Sequence, residues 1–246
     1  MAPDVLVLGC GFTGRAVAHL ALARGLRVVG TVRSDASAER LRSEGIATSP
    51  VEAGPHTHVI VCFPPDRDAE LAPSFAHAGA VTYVSTTGVY GDGAVDDTTP
   101  VDRAGRNAPR LAAEDAWRAI GATVLRCPGI YGADRGIHVR MKRGEHRIPG
   151  DGSRHTSRIH VEDLATLLLA TRDVRGETFV VGDLSPAPQR EVCAWIAEHH
   201  GVPFPPLVPM EEVHETLRSD RRVDPSRALA RLGVTLRYPT YRDGMG

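Results

Sequence analysis

Along the chain, short apolar runs alternate with amphipathic stretches. Val5–Leu8, Arg27–Val32, Gly45–Thr48, His58–Phe63, Val81–Ser85, Thr123–Cys127 and Thr178–Val181 are apolar on both alternating faces or nearly so. That pattern predicts strands buried on two sides, as in a parallel sheet covered by helices. Between them, Arg15–Arg24, Ala36–Glu44, Arg67–His77, Pro109–Ile120 and Val161–Thr171 carry apolar residues at helical spacing. Alternation of this kind defines an α/β fold: a Rossmann-type doubly wound parallel sheet with right-handed crossovers and the order 3-2-1-4-5-6. The stretch from Thr48 to Thr57 is too short for a crossover helix, so that connection is abbreviated. Beyond Gly132 the pattern weakens. Residues 133–156, rich in Arg, Gly and His, read as a loop-rich insertion. Gln189–His200, Glu211–Leu217 and Asp224–Leu232 read as helices, the last capped by Gly233. The division expected is a core of residues 1–132 and 158–184, with 133–157 and 185–246 forming a small C-terminal substrate-side lobe.

The first strand runs directly into Gly9-x-Gly11-x-x-Gly14, and a helix follows. In that context the first glycine permits a tight turn, the second lets the backbone approach a pyrophosphate, and the third lets helix pack on strand. The helix N-terminus then offers free N–H groups and the positive end of its dipole. These residues predict a dinucleotide site that includes Gly9, Gly11, Phe12, Thr13 and Gly14. In an NAD site the second strand ordinarily ends in a carboxylate that holds the ribose 2′-OH. Here it ends in Val32-Arg33-Ser34, and the guanidinium fork of Arg33 suits a 2′-phosphate. NADP is therefore expected over NAD. Ligands in such sheets bind beyond the carboxyl ends of the strands, which adds Phe63, Pro64, Ser85 and Pro128 to the cofactor candidates.

A net charge of −1 argues against nucleic-acid or membrane-surface partners. No apolar run reaches 18 residues, and no signal peptide is read at the start, so a cytoplasmic location is expected. Cys10, Cys62, Cys127 and Cys193 form neither a CxxC pair nor a metal spacing; the first three fall in or beside strand-like runs, so buried free thiols are expected. The eleven histidines include no HExxH or comparable set, so no metal is expected. Lys142 is the only lysine; the other 28 basic residues are arginine, so any role open to lysine falls to arginine here.

Further motifs follow in order: VSTTGVYGD at Val84–Asp92, TPVD at Thr99–Asp102, RLAAE at Arg110–Glu114, LRCPGIYG at Leu125–Gly132 and IHVEDLA at Ile159–Ala165. With the glycine turn, this series resembles the extended and atypical short-chain dehydrogenase/reductase superfamily, in particular the NAD-dependent epimerase/dehydratase family. The resemblance covers nearly the whole chain and includes the tail Val223–Gly244; the chain is short, like the small atypical members. It implies a catalytic set of Ser/Thr, Tyr and Lys, with Tyr as acid/base, Lys on the nicotinamide ribose and Ser/Thr bonded to the reacting oxygen. Thr86 matches the Ser/Thr and Arg110 the lysine. The tyrosine position is Arg106, and Arg106-Asn107-Ala108-Pro109-Arg110 stands where Tyr-x-x-x-Lys is expected. Arginine at 110 keeps the charge and donors. Arginine at 106 cannot exchange a proton near neutral pH, and Pro109 places the helix start there, which leaves Arg106 in the preceding turn.

Tyr90 and Tyr131 lie in loops at the ligand edge and are the candidate substitute acids, Tyr131 being the catalytic candidate of the two; each also reads as a structural residue. Thr87, Tyr90, Tyr131, Arg158 and Arg222 are the substrate candidates, and Arg158, Arg221 and Arg222 could grip an anion. His160 reads as a packing residue at a helix start, and Asp163 as a cap. The resemblance also implies homodimer contacts through Arg67–His77 and Pro109–Ile120. Two functions fit: an NADP-dependent oxidoreductase or epimerase/dehydratase on a small polar or nucleotide-linked substrate, or a non-catalytic NADP-binding sensor or interaction protein.

Overall fold

A computed structural model describes residues 2–48, 53–214 and 217–246. A parallel six-stranded sheet carries the strands in the order Thr178–Val180, Thr123–Cys127, Ala80–Thr86, His58–Val61, Val5–Leu8 and Val28–Gly30. Register runs from Val5 opposite both Val28 and His58, through His58 opposite Ala80, to Thr82 opposite Thr123. The expected order is present with one reduction. Gly45–Thr48 is not a full strand; a single parallel bridge from Ala47 to Val29 marks its place at the sheet edge.

The first strand shows why the sheet is covered on both faces. Val5 and Val7 join the core beneath Phe12–Ala23 and Val161–Ala170, with Val17, Ala18, Leu164 and Leu168. Leu6 and Leu8 point the other way, into a core with Val59, Tyr83 and Trp117. Side chains alternate along a strand, so an unbroken apolar run must bury both faces. Trp117, on helix Ala108–Arg118, stacks on Tyr83 and donates to Asp68 Oδ1 at 2.7 Å. Four free cysteines occur; Cys10, Cys127 and Cys193 are buried and Cys62 is half-buried. Among the described residues, no helix is long and apolar enough to cross a membrane and no cluster could hold a metal ion.

Three expectations are corrected. Arg67–His77 is not one long helix: a short turn at Asp68–Leu71 passes into a 3₁₀ segment at Ala72–Phe75. Pro73 has no N–H and crowds the preceding turn, so the α-helix cannot run through it. The insertion contains a helix, Ile137–Lys142, and short strands at Ile148–Pro149 and His155–Thr156. Six residues are too few to display a helical period, and this helix is secured by docking on Gln189–His200. In Glu211–Leu217, Glu211 and Glu212 belong to a 3₁₀ turn at Met210–Glu212, Val213 and His214 are not helical, and residues 215–216 lie outside the described residues. Ser226–Leu232 forms as expected, and Gly233 caps it at φ 63°.

Candidate functional site

At the carboxyl end of the first strand, Gly9 turns the chain at φ 81°, and a Cβ there would lie 3.0 Å from Phe63 Cβ. Its N–H donates to Thr31 Oγ1 at 3.0 Å. A Cβ on Gly14 would come within 2.8 Å of the Gly9 carbonyl oxygen and Val7 Cγ1. Gly11 differs. It begins helix Phe12–Ala23 without a side-chain cap, and a Cβ on it would meet nothing within 4 Å. Packing requires the outer glycines, whereas the middle one faces open space before uncapped N–H groups. That is the cradle a pyrophosphate fits. Phe12 and Thr13 form the first turn, and the Arg135 guanidinium lies 5.0 Å from the Phe12 ring centroid.

Arg33 lies three residues beyond the neighbouring strand, Val28–Gly30, with its side chain 80% exposed. The fold adds what the linear pattern hid: Asp66, from the loop after His58–Val61, stands 3.6 Å from Arg33. Ser34 caps helix Asp35–Ser43, its Oγ accepting from Ser37 N at 3.3 Å.

Beyond the carboxyl edge of the sheet lies a cavity of about 780 Å³, with Arg135, the neighbour of Phe12, in its lining; its size suits small molecules. Thr86, Thr87, Arg106, Arg110, Pro128, Tyr131 and Arg158, all proposed from sequence, line it. Thr86 Oγ1 accepts from Gly88 N at 3.0 Å, which leaves its own hydrogen to donate. Arg110 donates from Nη1 to Tyr83 Oη at 2.9 Å, so its guanidinium is anchored to the sheet. Burial pushes the Tyr83 phenol up to about 12. Arg106 occupies the 3₁₀ turn Gly105–Asn107, just before the helix that Pro109 opens.

Other candidates turn away from the cavity. Ser85 is buried and donates to Glu114 Oε1 at 2.5 Å. The Tyr90 hydroxyl is buried and accepts from Arg126 Nη1 at 2.8 Å. Arg222 is exposed in strand Arg221–Val223, where alternation directs Arg221 to the cavity and Arg222 away. The Tyr131 ring borders the cavity, but its hydroxyl packs at Gly244 and has no partner among the described residues; burial drives its pKa well above that of a free phenol. His160 begins helix Val161–Ala170, its Nδ1 accepting from Glu162 N at 3.3 Å, and Asp163 accepts from Arg237 N and Tyr238 N.

A buried ion network underlies Thr86. Glu114 accepts from Arg126 Nη2 at 2.7 Å and Nε at 3.1 Å, from Arg118 Nη2 at 2.8 Å, and from Ser85. Burial alone would raise the Glu114 pKa; the bonds from Arg126 and Ser85 and the nearby positive charges outweigh it and hold the carboxyl below its usual range.

Sequence reasoning missed Arg135, Arg140, His155 and Gln189, which also line the cavity. His155 Nδ1 lies 3.3 Å from Asp220 Oδ1, and the same oxygen accepts from His155 N at 2.8 Å. The pair is 65 residues apart in sequence, so no local spacing signals it.

The sheet order, the glycine turn and the adjoining cavity give this chain the architecture of short-chain dehydrogenase/reductase and NAD-dependent epimerase/dehydratase proteins. The chain belongs to one family with a conserved protein of unknown function from Silicibacter pomeroyi DSS, which is 33% identical over 98% of this chain and 96% of that one, with a TM-score of 0.85. The human epimerase family protein SDR39U1 (isoform 2), solved with NADPH, shares the fold at 18% identity, 98% and 97% coverage and a TM-score of 0.77. A putative NAD-dependent epimerase/dehydratase from Methylobacillus flagellatus does so at 23% identity, 99% and 96% coverage and a TM-score of 0.71. No family model and no curated protein sequence matches the chain.

Proposed function

We propose that the chain is an NADP-dependent enzyme of the oxidoreductase or epimerase/dehydratase kind, acting on a small polar molecule in the cavity beside Thr86 and Arg110. One observation carries this reading: one cavity, linked to the open glycine turn by Arg135 beside Phe12, holds Thr86, the anchored Arg110 and a histidine whose ring lies 3.3 Å from a carboxylate. The bound cofactor would supply hydride chemistry. Gly11 and the first turn of Phe12–Ala23 would hold its pyrophosphate, Arg33 its 2′-phosphate and Arg110 its nicotinamide ribose. Thr86 would donate to the reacting oxygen.

Arg106 stands where a tyrosine is expected and cannot act as a proton carrier. His155 takes that role in this reading, since imidazole is a general acid/base and the Asp220 carboxylate lies 3.3 Å from its Nδ1. A second reading, a non-catalytic NADP-binding sensor, is favoured by Arg106 itself. Calorimetric titration with NADPH and NADH, followed by NADPH oxidation assays over a panel of carbonyl compounds and nucleotide sugars, separates the two. Turnover that falls at least tenfold in Asp220→Asn with NADPH affinity unchanged supports the enzyme. Tight NADPH binding without turnover, with activity appearing only in Arg106→Tyr, supports the sensor.

A further inference from the structure

The substrate-side wall of the cavity contains polar groups that the proposed chemistry does not use. Arg158 is 3% exposed and Gln189 is 2% exposed. Arg158 Nη2 donates to the Thr156 carbonyl oxygen at 2.8 Å, while Arg158 Nη1, Arg140 Nε and Gln189 Oε1 have no hydrogen-bond partner among the described residues. Buried polar atoms are rarely left in this state, and each such group calls for an explanation. All three residues line the cavity.

They also converge, from three separate elements. Arg140 comes from helix Ile137–Lys142, Arg158 from strand Arg158–His160 and Gln189 from the first turn of helix Gln189–His200. Cys193 lies one turn beyond Gln189 on that helix face, and its sulfur is within electrostatic reach of both guanidinium groups. The fold therefore brings two positive charges to the same stretch of helix. Arg135 adds a third charge close to Arg140. The carboxylate facing Arg158 is Asp183, buried behind the wall and outside the cavity lining. Its Oδ1 accepts from Ser185 N, and it makes no ion pair with Arg158 within 4.0 Å.

We propose that Arg140, Arg158 and Gln189 form a binding site for a small oxyanion, the carboxylate or phosphate of a compact hydroxylated molecule. The two guanidinium groups donate to the anionic oxygens, and Gln189 Oε1 accepts from a neighbouring hydroxyl. Arginine suits this wall because its charge persists on burial and its planar fork matches a carboxylate or phosphate edge. The inference rests on the functional reading above only where it calls this anion the substrate; the site itself needs no cofactor.

Calorimetry on the full chain without NADPH, at fixed ionic strength, tests it with three probes: inorganic phosphate, D-glucuronate and neutral D-glucose. At least one oxyanion is expected to bind and glucose is not. Preference for phosphate identifies a phosphate ester, and preference for glucuronate a sugar or hydroxy acid. Arg140→Met and Gln189→Leu, checked for native circular dichroism, should each weaken the bound anion by about tenfold or more, and Arg140→Lys should restore part of the loss. The proposal is overturned if neither oxyanion binds better than glucose, or if both variants bind as the native chain does. NADPH titration of the same samples keeps the two ideas apart: lost anion binding with intact NADPH binding defeats this inference alone, and the reverse defeats the cofactor reading alone.

Discussion

Loss of the buried carboxylate Glu114 should cost this fold heavily. Its side chain is fully enclosed, and Arg126, which grips it with two bonds, is 6% exposed. Replacing Glu114 with Gln keeps the size but removes the counter-charge of Arg126 and half that of Arg118. Breaking a buried pair in this way costs about 3–5 kcal/mol, because the remaining ion stays desolvated without compensation. For a chain of 246 residues that corresponds to a melting temperature lowered by roughly 6–20 °C. Urea unfolding and thermal melts of Glu114→Gln measure it directly. Arg103→Ala is the internal control: it breaks a comparably short ion pair with Asp115, but both partners are largely exposed, so little change is expected. Glu114→Gln combined with Arg126→Met should regain much of the loss, since neither member of the buried pair then carries a charge. The native chain's advantage should also depend on pH. The Glu114 pKa is held low in the folded state, so its contribution is present above the unfolded carboxyl range near 4.3 and disappears as pH falls through the folded value. If Glu114→Gln melts with the native protein and Arg103→Ala, or if its deficit persists unchanged into strong acid, the argument from the buried charge is wrong.

The glycine turn yields a paired test. Gly11→Ala should change stability by less than about 1 kcal/mol yet weaken NADPH binding at least tenfold, because its methyl enters open space where the phosphates would lie. Gly14→Ala should instead lose about 1–3 kcal/mol in urea unfolding, because its methyl meets the Gly9 carbonyl and Val7 at 2.8 Å. At the ribose end, Arg33→Ala should narrow any preference for NADPH over NADH in calorimetric titration, and Asp66→Asn should widen it by removing the carboxylate beside Arg33; unchanged ratios in both would show that neither side chain reads the 2′-position.

How far the sequence could be read depended on the range of the interactions involved. Val5–Leu8 had to be a two-sided strand because four consecutive apolar residues cannot face water on either side. The roles of Gly9 and Gly14 follow from backbone geometry, which is local. Pro109 marked the helix start that leaves Arg106 in the turn before it. Segments too short to show a period were misread: Ile137–Lys142 looked like loop, and Pro73 broke a helix expected from spacing alone. Tyr90 was placed on the ligand edge, where its backbone does lie, but which way its hydroxyl faced was decided by Arg126, 36 positions away.

The amino-acid sequence by itself determined the α/β alternation, the glycine turn at the first strand and the substitution of arginine for tyrosine at 106. Each depends on residue type at neighbouring positions, where backbone stereochemistry and periodic burial act. Only the tertiary structure decided which side chains share a cavity. Asp66 came to Arg33, Asp220 to His155, and Arg140 to Arg158 and Gln189 because separate loops and lobe elements converge at the carboxyl edge of the sheet. Those encounters depend on how strands are ordered and where connecting segments dock, which are properties of packing between distant parts of the chain.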